Sequence, residues 1–390
     1  MSEEPGRTTR RFLTAPVHQV HQHLRARMES LGMSVHVDPV GNLRGLWKPS
    51  SGSTRRLILG SHIDTVPDAG AFDGVLGVVL ALDLVASAKY LKLLLALEVI
   101  AFSEEEGVRF SFPFIGSRAV AGRFDRAMLA LKDADGTTIR QAIENFSLDP
   151  GKLEDAAADA RAIGFLEIHI EQGPVLEAEG LSVAAVTSIV GQTRLDLEFI
   201  GHANHAGTTP MHLRRDAIAA AAEWITKVEA LAAQTEGLVA TVGRLEVQPN
   251  AGNVIPGLVE LSLDVRHVHD SARRAAVDDL VEQARAIATR RGLALDWTKK
   301  MDEPSVPMEE RLTAFMTDAI EGAGFPAKSM PSGAGHDAMI MAGCMPTAML
   351  FLRSPGGLSH HPDEAVREED VEAALRVGEK FLQRLSAEVR

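Results

Sequence analysis

One cysteine, Cys344, is all the thiol that this chain of 390 residues carries. No intramolecular disulfide can form, and a reducing compartment is expected. Basic residues are also short: 40 Lys and Arg stand against 53 Asp and Glu, for a formal net charge of −13. Nucleic-acid binding draws on a concentrated basic face, so this balance argues against such a partner. Long apolar runs are missing too. The two most apolar stretches, 75–88 and 91–102, are broken by Asp83 and by Lys92 and Glu98, and neither reaches the roughly 20 residues that span a bilayer. The opening residues MSEEPGRTTRRFL place acids before bases without an apolar core, unlike a secretory signal. No internal repeat or low-complexity segment is present. A soluble, cytoplasmic protein without nucleic-acid or membrane partners is expected, of two or three domains at roughly 100–200 residues each.

What is present is an alternation of elements. Helical spacing runs over 18–31 and stops at Gly32, with His18, His21 and His23 read as a polar face because no carboxylate lies near them in sequence. Short apolar strands are expected at 56–60 (RLILG), 93–102 and 165–170 (FLEIHI), with a buried helix over 74–86 between the first two. Polar groups follow each strand, at 61–67, 103–107 and 171–174. In α/β sheets ligands gather at such carboxyl ends. From about residue 188 the texture changes. A strand at 194–200, a helix over 210–233, strands at 238–247 and 259–267, a helix over 271–291 and a strand at 293–299 follow in turn. This β-α-β-β-α-β order is the ferredoxin-like unit, an open antiparallel sheet with one covered face. The expected fold is therefore α/β: a discontinuous catalytic domain over 1–187 and 301–390, interrupted by an inserted ferredoxin-like α+β domain over 188–300.

Chemistry concentrates at the strand ends. His62 closes an apolar strand and Asp73 follows eleven residues later, a pairing of imidazole and carboxylate that suits zinc and similar ions. A hydrogen-bonded histidine in a strand-end turn is the plainer alternative. Asp64 is placed to orient the His62 ring. Glu104, Glu105 and Glu106 repel one another after a buried strand, where a solvated loop would be out of place. A dication relieves that repulsion, leaving one carboxylate as ligand and its neighbour as general base on water. His169 and His360 supply further imidazoles, making a set large enough for two metals.

The segments SHIDTVPDAGAFDGVLGV, FSEEEGVRF, GSRAVAG, EIHIEQGPVLE, NHAGTTPMHLRRDA, NVIPG, SGAGHDA and SHHPDE, spread from about residue 41 to 370, closely resemble the hydantoinase/carbamoylase family of binuclear metallohydrolases. That family includes allantoate amidohydrolases, N-carbamoyl-L-amino-acid hydrolases and β-ureidopropionases, within the wider dizinc aminoacylase and carboxypeptidase superfamily. The resemblance implies that Asp73 bridges two divalent ions, zinc or manganese with cobalt or nickel also accepted. It implies that His62 and His169 complete one ion's site, Glu106 and His360 the other's, and that Glu105 is the base. His360 rather than His361 fits the pattern Ser-His-x-Pro-x-Glu. His205 is implied to reach the active site of the neighbouring subunit and steady the oxyanion, which makes the protein a homodimer and the inserted domain its dimerisation and lid element. Gln192, Arg194, Asn253 and Arg266 match positions that hold substrate, Arg266 by a guanidinium fork on a carboxylate. Gly335, His336 and Asp337 are read as cleft wall or as structural. Ser111 stands where glycine is common, and the 87–93 segment joins helix to strand with no Gly, Pro or Asn.

The reaction expected on these grounds is hydrolysis of the ureido C–N bond of allantoate, releasing ammonia and carbon dioxide. N-carbamoyl-L-amino acids or β-ureidopropionate are the alternative substrates. An aminoacylase or peptidase of the same superfamily is a further reading, against which the His169 segment argues. A metal-stabilised binding protein without turnover has no evident use for Glu105 and His205.

Overall fold

Three strands, Arg56–His62, Ala96–Phe102 and Thr347–Leu352, are buried along their whole length, and a fourth, Ala162–Ile170, is buried from Gly164 onward. Continuous burial belongs to parallel strands covered on both faces, and these four lie side by side in parallel register. The computed structural model describes residues 1–388. In it the four strands form the centre of a nine-stranded sheet, ordered Ala96–Phe102, Arg56–His62, Ala162–Ile170, Thr347–Leu352. Antiparallel strands Leu43–Trp47 and Ser34–Val37 extend one side, and Val183–Ile189 the other. From Arg56–His62 the chain takes its next central strand on one side and the one after on the other. That reversal makes a topological switch point, where the carboxyl ends of neighbouring strands diverge and leave a crevice.

Helices Val75–Leu91, Glu310–Gly322 and Glu368–Glu388 pack on one another and on the sheet, while Asp337–Met341 packs on Ala162–Ile170 and Thr347–Leu352. The helix expected over 74–86 continues to Leu91 and the following strand starts at Ala96, not residue 93. Lys92 ends the helix in the left-handed conformation, φ 53°. Glycine is the usual residue there, so the stop carried no recognisable signal. Glu98, which interrupts the apolar run, is buried between two guanidiniums: Arg44 Nε donates to it at 2.8 Å, and Arg56 Nε bonds its other oxygen.

Two units divide the chain: Met1–Thr187 together with the segment from Pro307 onward, and Ser188–Val306. The second unit has a five-stranded antiparallel sheet. Its strands Ala294–Glu303, Gly191–Ile200 and Leu258–His267 lie in that order, with Leu245–Gln248 and Val239–Thr241 both paired to Leu258–His267. The spatial order of fourth, first, third and second strand is the ferredoxin-like one. Alternate residues of Leu258–His267 are buried under helices Ala217–Gln234 and Asp270–Arg291, and Trp224 Nε1 donates to the Leu280 carbonyl at 2.8 Å between those helices. The first helix begins at Ala217 rather than 210, because Asp216 caps it by accepting from Ile218 N and Ala219 N. The strand expected over 238–247 is two short ones, and the last strand runs to Glu303.

Among the described residues no helix is long and apolar enough to cross a membrane. The helix Ala15–Ser30 departs from its expected polar face. His18 and His23 are exposed, but His21 is 5% exposed, its ring edge-to-face with Phe146 at 5.6 Å between centroids. Burial, then His18 and Arg25, depress its pKa from 6.5 to about 4. Between those values the unfolded chain takes up a proton that the folded chain refuses, so stability falls as pH drops through this window. The wild-type chain is expected to lose at most about 2 kcal/mol through this group between about pH 7 and pH 5. Urea midpoints for His21→Leu should show a correspondingly flatter pH dependence; an unchanged slope would refute the assignment.

Candidate active site

The strand ends at the switch point carry the expected residues to one place. His62 is the last residue of its strand, the 103–107 run follows Phe102, and His169 is the penultimate residue of Ala162–Ile170. His169 Nε2 lies 3.2 Å and His62 Nε2 3.9 Å from Asp73 Oδ1. His360 Nε2 lies 3.1 Å from Asp73 Oδ2 and 3.3 Å from Glu106 Oε1. The ligand atoms of His62, Glu105 and Glu106 also fall within 4.8 Å of one another. His361 points elsewhere: its Nδ1 accepts from Asp363 N. Asp73 therefore sits between three imidazoles, with Glu105 and Glu106 beside them.

Hydrogen bonds fix how these rings are presented. His62 Nδ1 meets the Asp64 carbonyl at 3.0 Å, and His169 Nδ1 meets the Ile170 carbonyl at 2.9 Å. A carbonyl can only accept, so both Nδ1 atoms carry hydrogen and both neutral rings turn an Nε2 lone pair toward Asp73. Acceptors facing acceptors at 3.2 Å repel unless a cation or proton lies between them. The donor set therefore fits a divalent ion, with nitrogen and carboxylate oxygen converging from different elements. Asp64 is the common brace. Its carboxylate accepts from Glu105 N at 3.0 Å and Glu106 N at 3.1 Å, while its carbonyl holds His62.

Without a cation the protons must serve instead. Burial pushes His62 and His169 down, but the bond from Asp64 to the first and from Asp73 to the second outweigh it and raise both. Bonds to Asp73 and Glu106 push His360 up to about 10. Burial, reinforced by Glu106, Asp337 and Asp64, drives Glu105 well above the usual carboxylate range, although His62 opposes it. Glycine is obligatory at one contact: Gly74 has φ 65°, and a Cβ there would lie 2.5 Å from the His62 ring.

Several residues that sequence reasoning left out complete the setting. Gln172 Nε2 donates to both Asp73 oxygens at 3.2 Å and to Ser359 Oγ at 3.1 Å. Glu364 accepts from Phe72 N and Asp73 N, each at 2.9 Å, and receives Ser359 Oγ at 3.1 Å. Glu167 receives Ser61 Oγ and Ala338 N. His336 is no part of an open wall: it is buried, its ring 4.4 Å from that of His169 and its Nε2 bonded to Ser332 Oγ. The motif signal for Gln172 and Glu364 lies in EQGP and SHHPDE, beside the metal-ligand candidates.

Gln192, Arg194, Asn253, Arg266 and His205 belong to the second unit. Cross-strand pairing sets Arg194 opposite Asp264 and Gln192 opposite Arg266. Asp264 gathers them: Arg194 Nε and Arg266 Nε donate to it at 2.9 Å, and Gln192 bonds it as well. Glu303 lies opposite Gln192 on the neighbouring strand, so two guanidiniums and two carboxylates share this patch. His205 lies in the short strand Asn204–His205, paired with Val254–Ile255 beside Asn253. It is exposed, and its Nδ1 accepts from Gly207 N at 3.0 Å. A backbone N–H can only donate, so the hydrogen of the neutral ring sits on Nε2, the outward atom.

The sequence profile of peptidase family M20/M25/M40 matches residues 58–384. An allantoate deiminase of Arabidopsis thaliana is 38% identical over 388 residues, covering 90% of this chain and 73% of that protein. An N-carbamoyl-L-amino-acid amidohydrolase of Paenarthrobacter aurescens is 38% identical over 389 residues, covering 96% of this chain and 93% of that protein. Among solved structures, an amidase of the hydantoinase/carbamoylase family from Burkholderia multivorans superposes with a TM-score of 0.92 at 31% identity, over 98% of this chain and 93% of that one. A family profile over most of the chain, relatives of this closeness and a shared fold agree with the histidine and carboxylate clusters at the strand ends: the chain belongs to the metal-dependent peptidase family M20/M25/M40, among its hydantoinase/carbamoylase amidases, and is a hydrolase of C–N bonds.

Proposed function

We propose that the chain is an allantoate amidohydrolase, cleaving a ureido C–N bond with release of ammonia and carbon dioxide. The observation that carries this reading is the carboxylate of Asp73 facing three imidazole nitrogens, with the buried Glu105 alongside. The name of the Arabidopsis relative supports the choice of substrate. Asp73 would be shared by two divalent ions, zinc or manganese, with cobalt or nickel also suited to the donors. His62 and His169 would hold one ion, Glu106 and His360 the other. When bound, the ions supply Lewis-acid charge for the ureido carbonyl and lower the pKa of water.

The chain's own groups do the rest. Glu105 accepts the proton of the attacking water and returns it to the leaving nitrogen. His205, through its Nε2 hydrogen, donates to the developing oxyanion in the partner subunit of a homodimer. Arg266 and Asn253, with Gln192 and Arg194, hold the substrate carboxylate and so set which bond meets the water. The compartment is cytoplasmic.

The Paenarthrobacter relative favours a second reading, an N-carbamoyl-L-amino-acid hydrolase, since its identity to this chain is equal at 38%. Ammonia release from allantoate and from a panel of N-carbamoyl-L-amino acids separates the two. The expected outcome is a higher kcat/KM on allantoate, and an equal or higher value on carbamoyl amino acids would reverse the order. Glu105→Gln should lower kcat by about 10²–10⁴-fold while metal content by elemental analysis stays at the wild-type level. Unchanged ammonia release would remove Glu105 from the role of base. Light scattering on the active fraction should read a dimer, and an active monomer would exclude action of His205 across subunits.

A further inference from the structure

The tautomer of His205 is decided within its own loop, and one side chain holds that loop together. Arg214 Nε donates to the Thr209 carbonyl at 3.0 Å, and its Nη2 donates to the Ala206 carbonyl. These two carbonyls bracket Gly207, whose N–H supplies the hydrogen bond to His205 Nδ1. The turn closes further as Thr209 N and Oγ1 both donate to the His205 carbonyl, at 3.3 and 3.0 Å, while Ala206 N donates to the Asn253 carbonyl at 3.0 Å. Gly207 also lies close against the ring: a Cβ there would come within 3.2 Å of His205 Cε1. The ring thus rests on a glycine surface, with one nitrogen tied to the backbone and the other turned out.

We infer that Arg214 is a positioning residue for His205: its fork on the Ala206 and Thr209 carbonyls aims the Gly207 N–H at Nδ1 and so keeps Nε2 protonated and outward as a hydrogen-bond donor. The inference rests on the proposed role of His205 for its kinetic consequence, but not for its structural one. Lysine cannot replace the fork, because a single ammonium lacks the planar pair of donors that spans two carbonyls.

Nitrogen-15 NMR of histidine-labelled protein reads the tautomer directly. In the wild-type chain His205 should show an unprotonated Nδ1 and a protonated Nε2. In Arg214→Met the two signals should move toward each other as the tautomers mix. Loss of an oxyanion donor costs about 10²–10³-fold in kcat, and a donor displaced but present should cost less, about tenfold or more, with KM little changed. Arg214→Lys should fall between wild type and Arg214→Met. The double variant Arg214→Met/His205→Ala should be no slower than His205→Ala alone. His205 signals identical to wild type in Arg214→Met would overturn the inference, as would a double variant whose loss is the product of the two single losses. If Arg214→Met does not fold, Arg214→Lys carries the test, and His205 signals identical to wild type in that variant would overturn the inference. Failure of the reading looks different: His205→Ala would then keep full kcat while the tautomer in Arg214→Met still changes.

Discussion

Too much negative charge is buried at one end of the parallel sheet for the chain to neutralise from its own cations. Asp64, Asp73, Glu104, Glu105, Glu167 and Asp337 are all buried there, and backbone amides, hydroxyls and imidazoles are what meets those that have partners. In a low-dielectric interior such a group of carboxylates is costly unless cations or protons join it. Burial first, and then neighbouring carboxylates such as Asp64, Glu106 and Glu167, push Glu104, Glu105 and Asp337 well above the usual carboxylate range. Divalent ions offset the same charge while leaving the carboxylates ionised. The apolar burial of the sheet behind it, whose central strands are covered along almost their whole length, offsets that cost.

Rigidity at this end comes from backbone and not from long side chains. Asp64 ties the strand end that bears His62 to the amides of Glu105 and Glu106 just past the neighbouring strand, and Glu364 ties down the amides around Asp73. Each carboxylate spends its lone pairs on N–H groups, which fix a loop more firmly than a surface ion pair would. The second unit repeats the economy with Asp264, on which three polar side chains of two strands converge.

Most of the fold was legible because its strands are short, apolar and followed by polar clusters. His62, Glu105, Glu106 and His169 could be placed together because parallel strands end side by side. The ferredoxin-like order of the second unit was readable from alternation alone. What escaped the sequence was conformational or distant. Lys92 ends a helix with positive φ and without a glycine, and Ser111 adopts φ 52° at a position where glycine was the expected residue. Gln172, at φ 58°, reaches Asp73 across 99 residues, a separation with no local pattern. The absence of a nearby carboxylate points to a polar face for His21, while the Phe146 that covers it lies 125 residues away in sequence, with no local pattern.

Glu364 has a consequence for how the molecule is made. Its bonds to Phe72 N and Asp73 N span 292 and 291 residues. The loop that presents Asp73 is therefore unfinished until the segment that bears Glu364 has been made. Strands Arg56–His62 and Ala96–Phe102 can pair early, since they are near in sequence and apolar, but the carboxylate that clamps the Asp73 amides arrives only with the last part of the chain. Contacts of such separation form late in folding. A nascent chain that has not yet made this segment holds the Asp73 loop without its clamp, and it also lacks the central strand Thr347–Leu352 and His360.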